Sequence, residues 1–431
     1  MTDSESNLLS SCSSSRNREC NRYFFRCFGI AAVFLLLSLP YSQTAHAQNS
    51  WTDRVTFRGY LKFMQTNLIQ DADSILTENL IHNRLNFRLL ISDRMTGGIE
   101  VRNRVFYGDL VKSIPGYGDL VSGYDGVFHL EKTWVDSDAV VINTIVDRLW
   151  MNYSADAYEL RIGRQRINWG YNPVWNPNDL FNAFDYLDFD YEERPGADAV
   201  SGEVYIGDMS SISGAFKWAE NSDDNVGAVR LQTNKWSYDI QLLAGRYRND
   251  WAFGVGWAGN IRTAGFKGEA TVFTPAKNAK STSIGASGAG RSSRTTTDDD
   301  KTTLSFTSTF EYGFRNGWSV IASYLLNTNG ASDSGDFIRF FTSLPDAKNL
   351  MPNRHTALMG TYRQFSPVFM INLSAIYAFE VNWVILLPTI SYSLRQNWDL
   401  DLIGQLFWGE NVNGTFENQT NGIFARIRWS F

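Results

Sequence analysis

Carboxylates and aromatics alternate through one proline-broken stretch, Arg161 to Gly196, which reads RIGRQRINWGYNPVWNPNDLFNAFDYLDFDYEERPG. Asp179, Asp185, Asp188, Asp190, Glu192 and Glu193 are interleaved with Trp169, Trp175, Phe181, Phe184, Tyr186, Phe189 and Tyr191, and beyond Gln165 the basic residues are Arg166 and Arg194. Two Asn-Pro steps and one Arg-Pro step push the residues before proline out of helical space, so no regular element runs through the stretch. That much aromatic surface does not stay in water, and the pattern predicts an ordered loop folded back onto another surface. Three chemistries suit its side chains. The acids face cations, the aromatics Trp169, Tyr171 and Trp175 stack on sugar or aromatic faces, and the carboxylates from Asp185 to Glu193 could hold calcium. Their i, i+3, i+5 spacing lacks the glycine and terminal glutamate of an EF-hand, which argues against calcium.

Proton-transfer chemistry finds little support. Beyond residue 47 the histidines are His82, His129 and His355, and there is no G-x-S-x-G elbow, H-E-x-x-H or Cys/His pair. The reading is a non-enzyme without cofactor or metal. A hydrolase assembled from distant residues is the remaining enzymatic alternative.

The N-terminus gives the destination. Arg16, Arg18, Arg22 and Arg26 precede an apolar run from Phe28 to Leu39 and an Ala45-His46-Ala47 cleavage site, the pattern of a secretory signal peptide over residues 1–47. Cys12, Cys20 and Cys27 all fall within it, so the mature chain, 48–431, has neither disulfide nor thiolate metal chemistry. The segment carries four arginines and three acids, a net +1, so the mature chain carries −7 against the −6 of the whole. Such a charge gives no support to nucleic-acid binding.

Period-two alternation fills the rest. In Asn83 to Leu89 the odd positions are apolar and the even ones polar, and similar stretches predict eighteen strands: 53–68, 80–93, 97–108, 146–155, 158–165, 198–207, 211–219, 226–234, 236–247, 251–259, 261–273, 303–314, 318–327, 355–365, 368–379, 383–395, 398–408 and 421–431. Each is near the length that crosses a bilayer at a tilt. The long connections, 109–145, 166–197, 274–302, 328–354 and 409–420, all share one parity, and the gaps of the other parity are tight turns, which is how an up-and-down transmembrane barrel sorts its two ends; three gaps on the long side, near 221–225, 248–250 and 380–382, are short and make that rim uneven. Residues 281–300, STSIGASGAGRSSRTTTDDD, read as an external loop tip. A soluble sandwich would share the alternation but not the apolar face of Leu85, Phe87 and Leu89 opposite Arg84 and Arg88. Trp51, Trp150, Trp236, Trp251, Trp318, Trp383, Trp398 and Trp429 lie near strand ends, as interfacial girdles require.

The closing strand, Phe424-Ala-Arg-Ile-Arg-Trp-Ser-Phe431, resembles that of bacterial outer-membrane barrels, and Gly163-Arg164-Gln165, Trp169-Gly170 and Asn176-Pro-Asn-Asp179 are similar to elements of porin-like barrels, more distantly of the alginate-export type. The resemblance implies an all-β transmembrane antiparallel barrel of 16–18 strands in the outer membrane, assembled by machinery that reads the strand ending at Phe431. It also implies that the third external loop, 166–196, folds inward as a constriction. With apolar positions toward lipid, the lumen receives Arg84, Arg88, Arg102, Arg104, Arg148 and Arg161, a basic pore wall opposite the acidic loop. The expected function is a channel for small hydrophilic solutes, anionic or sugar-like. The alternatives are a loop-plugged structural or export barrel, or arginines that pair with Glu100 and Glu159 and only keep the wall hydrated.

Overall fold

The computed structural model describes residues 51–71, 74–122, 126–182, 190, 196–276, 301–331, 346–410 and 414–431. The predicted signal peptide over residues 1–47, the 281–300 segment, Asp185, Asp188, Glu192, Glu193 and Arg194 lie outside these residues.

Nineteen antiparallel strands form one sheet: β1 Val55–Asp71, β2 Ser74–Ser92, β3 Met95–Gly108, β4 Glu131–Asp136, β5 Val140–Ser154, β6 Tyr158–Gln165, β7 Ala197–Ile206, β8 Ser210–Lys217, β9 Val226–Lys235, β10 Tyr238–Tyr247, β11 Asp250–Ile261, β12 Ala264–Pro275, β13 Thr303–Gly313, β14 Trp318–Asn327, β15 His355–Ser366, β16 Phe369–Ala378, β17 Trp383–Arg395, β18 Trp398–Glu410 and β19 Phe416–Ser430. The sheet closes on itself where β1 pairs with β19, from Tyr60 opposite Ser430 to Ile69 opposite Asn421. Because β3 pairs directly with β5, removing the short β4 leaves a complete ring of eighteen strands, an up-and-down barrel.

Alternation explains the closure. Leu149, Met151, Leu160, Ile162, Val229 and Leu242 stand exposed on the outer face, while Asn143, Asn152, Gln241, Glu269 and Thr307 are buried inside. A barrel wetted within and coated with apolar side chains without is a transmembrane barrel. Its tight turns sit at one end with the first and last strand termini. Trp236 and Ser237 connect β9 to β10 with φ of 57° and 63°, both left-handed as a two-residue hairpin that matches strand twist requires.

Some elements differ from the sequence reading. The strands extend into the predicted 69–79 gap, β1 ending at Asp71 and β2 beginning at Ser74; β5 begins at Val140 rather than 146; β19 begins at Phe416; and the β11–β12 turn is Arg262–Thr263, not Asn260. The first long connection holds β4 and two short helices, α1 Asp109–Ser113 and α2 Tyr117–Val121, which alternation could not disclose. Two of the predicted girdle tryptophans face inward: Trp383 is 3% exposed in a core cluster, and Trp150 lies under the Arg161 guanidinium, 4.7 Å from it. The wall is also uneven, since β1, β2, β3 and β5 have 14–19 residues while β6 to β10 have eight to ten.

Candidate lumen site

After Gln165 the chain leaves the wall, and residues 166–182 cross to strands far from β6. Their receptor is Glu269, an inward carboxylate of β12 with no exposure. It accepts the backbone N–H groups of Asn172 at 2.9 Å, Asn178 at 3.0 Å and Tyr171, and the Asn176 amide at 3.3 Å. The proline breaks make this possible, because they leave the amides of 171, 172 and 178 without a helix or strand partner and turn them toward one point. Asn178 completes the anchor. Its amide donates to the Val255 carbonyl at 3.1 Å and its oxygen accepts the Thr271 hydroxyl at 2.6 Å, while Gln241 of β10 donates to the Trp169 carbonyl at 2.7 Å.

Glycine makes the space. A Cβ built on Gly254 would lie 2.6 Å from Asn178 Oδ1, and one on Gly256 would lie 2.9 Å from Asn178 Nδ2. Replacing Gly254 by alanine should therefore displace Asn178 and loosen the loop without touching the backbone ladder. Limited proteolysis of purified barrel should then cut within 166–182 faster than in the parent, and an unchanged rate would show that the anchor tolerates the methyl group.

Apolar packing fixes the rest. Ile167, Trp169, Leu180 and Phe181 pack with Ala199, Ala215, Ala228, Ala252 and Phe273 on β7 to β12, where alanines let the loop approach. Val174 and Trp175 pack with Leu325, Leu358, Ile376, Trp383, Ile385 and Phe407 on β14 to β18. Trp169, Trp175 and Phe181 are 2–4% exposed, and each contributes about 1.5–3 kcal/mol by that burial. Asp179 is buried as well, whereas Arg166 is exposed. Asp190 meets the opposite wall: its carboxylate lies 3.0 Å from Lys62 Nζ on β1, 2.9 Å from His82 Nδ1 on β2 and 3.8 Å from Arg104 on β3, and Lys62 donates to its carbonyl at 2.6 Å. Burial works against its charge, but His82 and Lys62 outweigh it and hold the Asp190 carboxyl well below the usual carboxylate range.

The arginines are extensively paired. Arg84 bonds Asp147 at 2.5 Å and Glu100 at 2.6 Å, Arg102 bonds Asp147 at 3.0 Å, Arg148 bonds Glu100 at 3.2 Å and Arg161 bonds Glu159 at 3.1 Å. Asp147 is the extra residue of a bulge, since Glu100 pairs with Arg148 and Val101 with Val146; the bulge turns Asp147 and Arg148 both inward. Arg84, Arg102 and Arg104 are closed off from solvent, partly under the α1–α2 segment: Arg104 donates to the Val121 carbonyl at 2.6 Å, and Val111 and Tyr117 pack with Met64, Leu80 and Phe106. Arg148 and Arg161 keep 16% and 32% side-chain exposure. Arg88 is exposed near the turn end, without an ion pair among the described residues. Glu100 and Glu159 are the predicted partners; Asp147 escaped the sequence reading because a bulge breaks the period it relied on.

Arg164, within the Gly-Arg-Gln element, carries a second junction. It pairs with Asp198 of β7 at 2.8 Å, both side chains unexposed, and donates to the carbonyls of Val146 at 3.1 Å and Phe128. Asp198 in turn accepts the Phe128 N–H at 2.9 Å. Here β6 ends, and residues 126–136 take its place beside the upper part of β5.

Fold and lumen together define a closed transmembrane β-barrel of eighteen wall strands with connections folded onto its inner wall. No family model matches this chain, and no curated protein matches it. Among solved structures it is similar to Pseudomonas aeruginosa OccK9 (OpdG), at 11% identity and TM-score 0.56 over 89% of this chain and 100% of that one. It is similar too to OccK8 (OprE) of the same organism, at 10% identity and TM-score 0.54 over 88% and 98%, and to its outer membrane protein OpdK, at 9% and 0.53 over 87% and 98%. At such identities the likeness is one of fold.

Proposed function

We propose that the chain is a porin-like channel of the bacterial outer membrane through which small hydrophilic solutes diffuse, with residues 166–196 as its constriction. The observation that carries this reading is the Glu269 anchor, which ties residues 171–178 to the inside of the wall. The polar inner face and the likeness to an outer membrane protein support the membrane and the channel. In this reading residues 1–47 are a removed signal peptide, the turn end faces the periplasm, β19 with Phe431 addresses the assembly machinery, and no catalysis or nucleic acid is involved.

Anionic or sugar-like solutes fit the partly open Arg148 and Arg161 and the aromatic loop. Substituting both arginines by glutamine removes two positive charges while keeping length and polarity, so conductance should persist and anion preference should fall. Unchanged reversal potentials in planar bilayers would show that Glu100 and Glu159 already neutralise them. The decisive experiment deletes Asn172 to Asp190. Every strand remains, so the barrel should assemble and its single-channel conductance should rise severalfold; an unchanged conductance would remove the loop from the conducting path. A second reading, a plugged scaffold, draws on the near-complete burial of Trp169, Trp175 and Phe181. Silence of the parent protein in bilayers would favour it.

A further inference from the structure

The outer face of β7 to β10 carries a cavity of about 730 Å³ that the channel reading does not use. Two rows of outward positions cross it. Gly202 pairs with Gly214, Gly214 with Val229 and Val229 with Ala244; one step nearer the loop end, Phe216 pairs with Gly227, Gly227 with Arg246 and Arg246 with Trp251. These positions face out, since Val229 and Trp251 are 55% and 48% exposed while Ala228 and Ala252 are buried inside. The floor is open: a Cβ on Gly214 would meet nothing closer than 4.0 Å, and one on Gly202 nothing closer than 3.5 Å.

The cavity is graded along the strand direction. The row nearer the turn end is apolar, with Gly202, Gly214, Val229 and Ala244, and the row nearer the loop end sets Val200 and Phe216 level with Arg246, with Ser222 and Asn225 beyond it. Arg246 is exposed on the lipid-facing side, where its Nε donates to the Arg248 carbonyl at 3.0 Å and no carboxylate pairs with it among the described residues. A guanidinium at the interface above an apolar trough complements a lipid with an acyl chain and an anionic head. The strands here have only eight to ten residues, which sets Arg246 at headgroup level. A second barrel docked on this face would meet a hollow and an unpaired cation rather than a complementary surface.

We infer that this cavity binds one acyl chain of a phosphorylated glycolipid of the outer leaflet, with its phosphate at Arg246. The side on which the lipid sits follows the orientation proposed above; the binding itself does not depend on conduction.

The test is native mass spectrometry of the detergent-purified full barrel titrated with lipid A, phosphatidylglycerol or phosphatidylcholine. One lipid A per barrel should be retained, and phosphatidylcholine should not. Gly214→Leu fills the floor from a position whose Cβ meets nothing closer than 4.0 Å and should abolish retention, and Arg246→Gln should weaken it roughly tenfold, the loss of one charge-assisted contact. Heat-modifiable migration identifies the variants that remain folded, and Gly202→Leu provides a second filled floor if the first fails to fold. Equal retention by the filled variants, equal binding of phosphatidylcholine, preference for phosphatidylglycerol over lipid A, or a barrel dimer that Gly214→Leu disrupts would each overturn the proposal.

Discussion

Replacing Glu269 by alanine should free the loop from β12 and raise single-channel conductance severalfold while leaving the barrel assembled. The side chain is the common acceptor for three backbone N–H groups and the Asn176 amide. Each buried donor left without a partner costs about 1–3 kcal/mol, so the anchored position loses most of what holds it. The strand itself keeps its ladder, because β12 pairs with β11 and β13 through the main chain. Glu269→Gln is the informative control. It preserves volume but puts an NH₂ where one oxygen accepted, so its conductance should lie between parent and alanine variant. Parental conductance in a folded alanine variant would mean that the apolar packing of Trp169 and Trp175 suffices alone, and the anchor would lose its assigned importance.

The other large effect is expected at Arg164. Alanine there leaves the Asp198 carboxylate buried with its cation gone and the Phe128 and Val146 carbonyls short of a donor, a loss of about 3–5 kcal/mol for a broken buried pair. The urea midpoint for loss of heat-modifiable migration should fall accordingly. A double variant, Arg164→Leu with Asp198→Ala, removes both charges and should recover much of that loss. A double variant no more stable than Arg164→Ala would locate the instability in the carbonyl contacts rather than in the ion pair.

The strands were legible because each obeys a single local rule, apolar out and polar in, and because turn and loop lengths fell on opposite parities. The loop was legible as a body needing burial, from its tryptophans and its prolines. Its receptor was not. Glu269 sits in Phe266-Lys-Gly-Glu-Ala as one more inward polar residue, and only the folded backbone brings Tyr171, Asn172 and Asn178 to it. Asp147 was hidden by the bulge and Asp198 by distance along the chain. Lys62 was passed over because the reading weighed arginines alone. The α1–α2 segment left no trace because it has one short turn per helix and no period long enough to read.

Closure of the ring has a kinetic meaning. All strand neighbours except one are joined by a connection in sequence, so each pairing can form as a local hairpin or short meander. The exception brings Tyr60 to Ser430 and Ile69 to Asn421. Contacts of such sequence separation carry the largest chain-entropy cost and form slowly. Until they form, β1 and β19 present two long unpaired edges, the condition under which strands join neighbouring molecules instead. The β1–β19 seam is therefore the commitment step of assembly, and a substitution that weakens only its ten register pairs should lengthen the lifetime of an open, aggregation-prone sheet far more than it destabilises the finished ring.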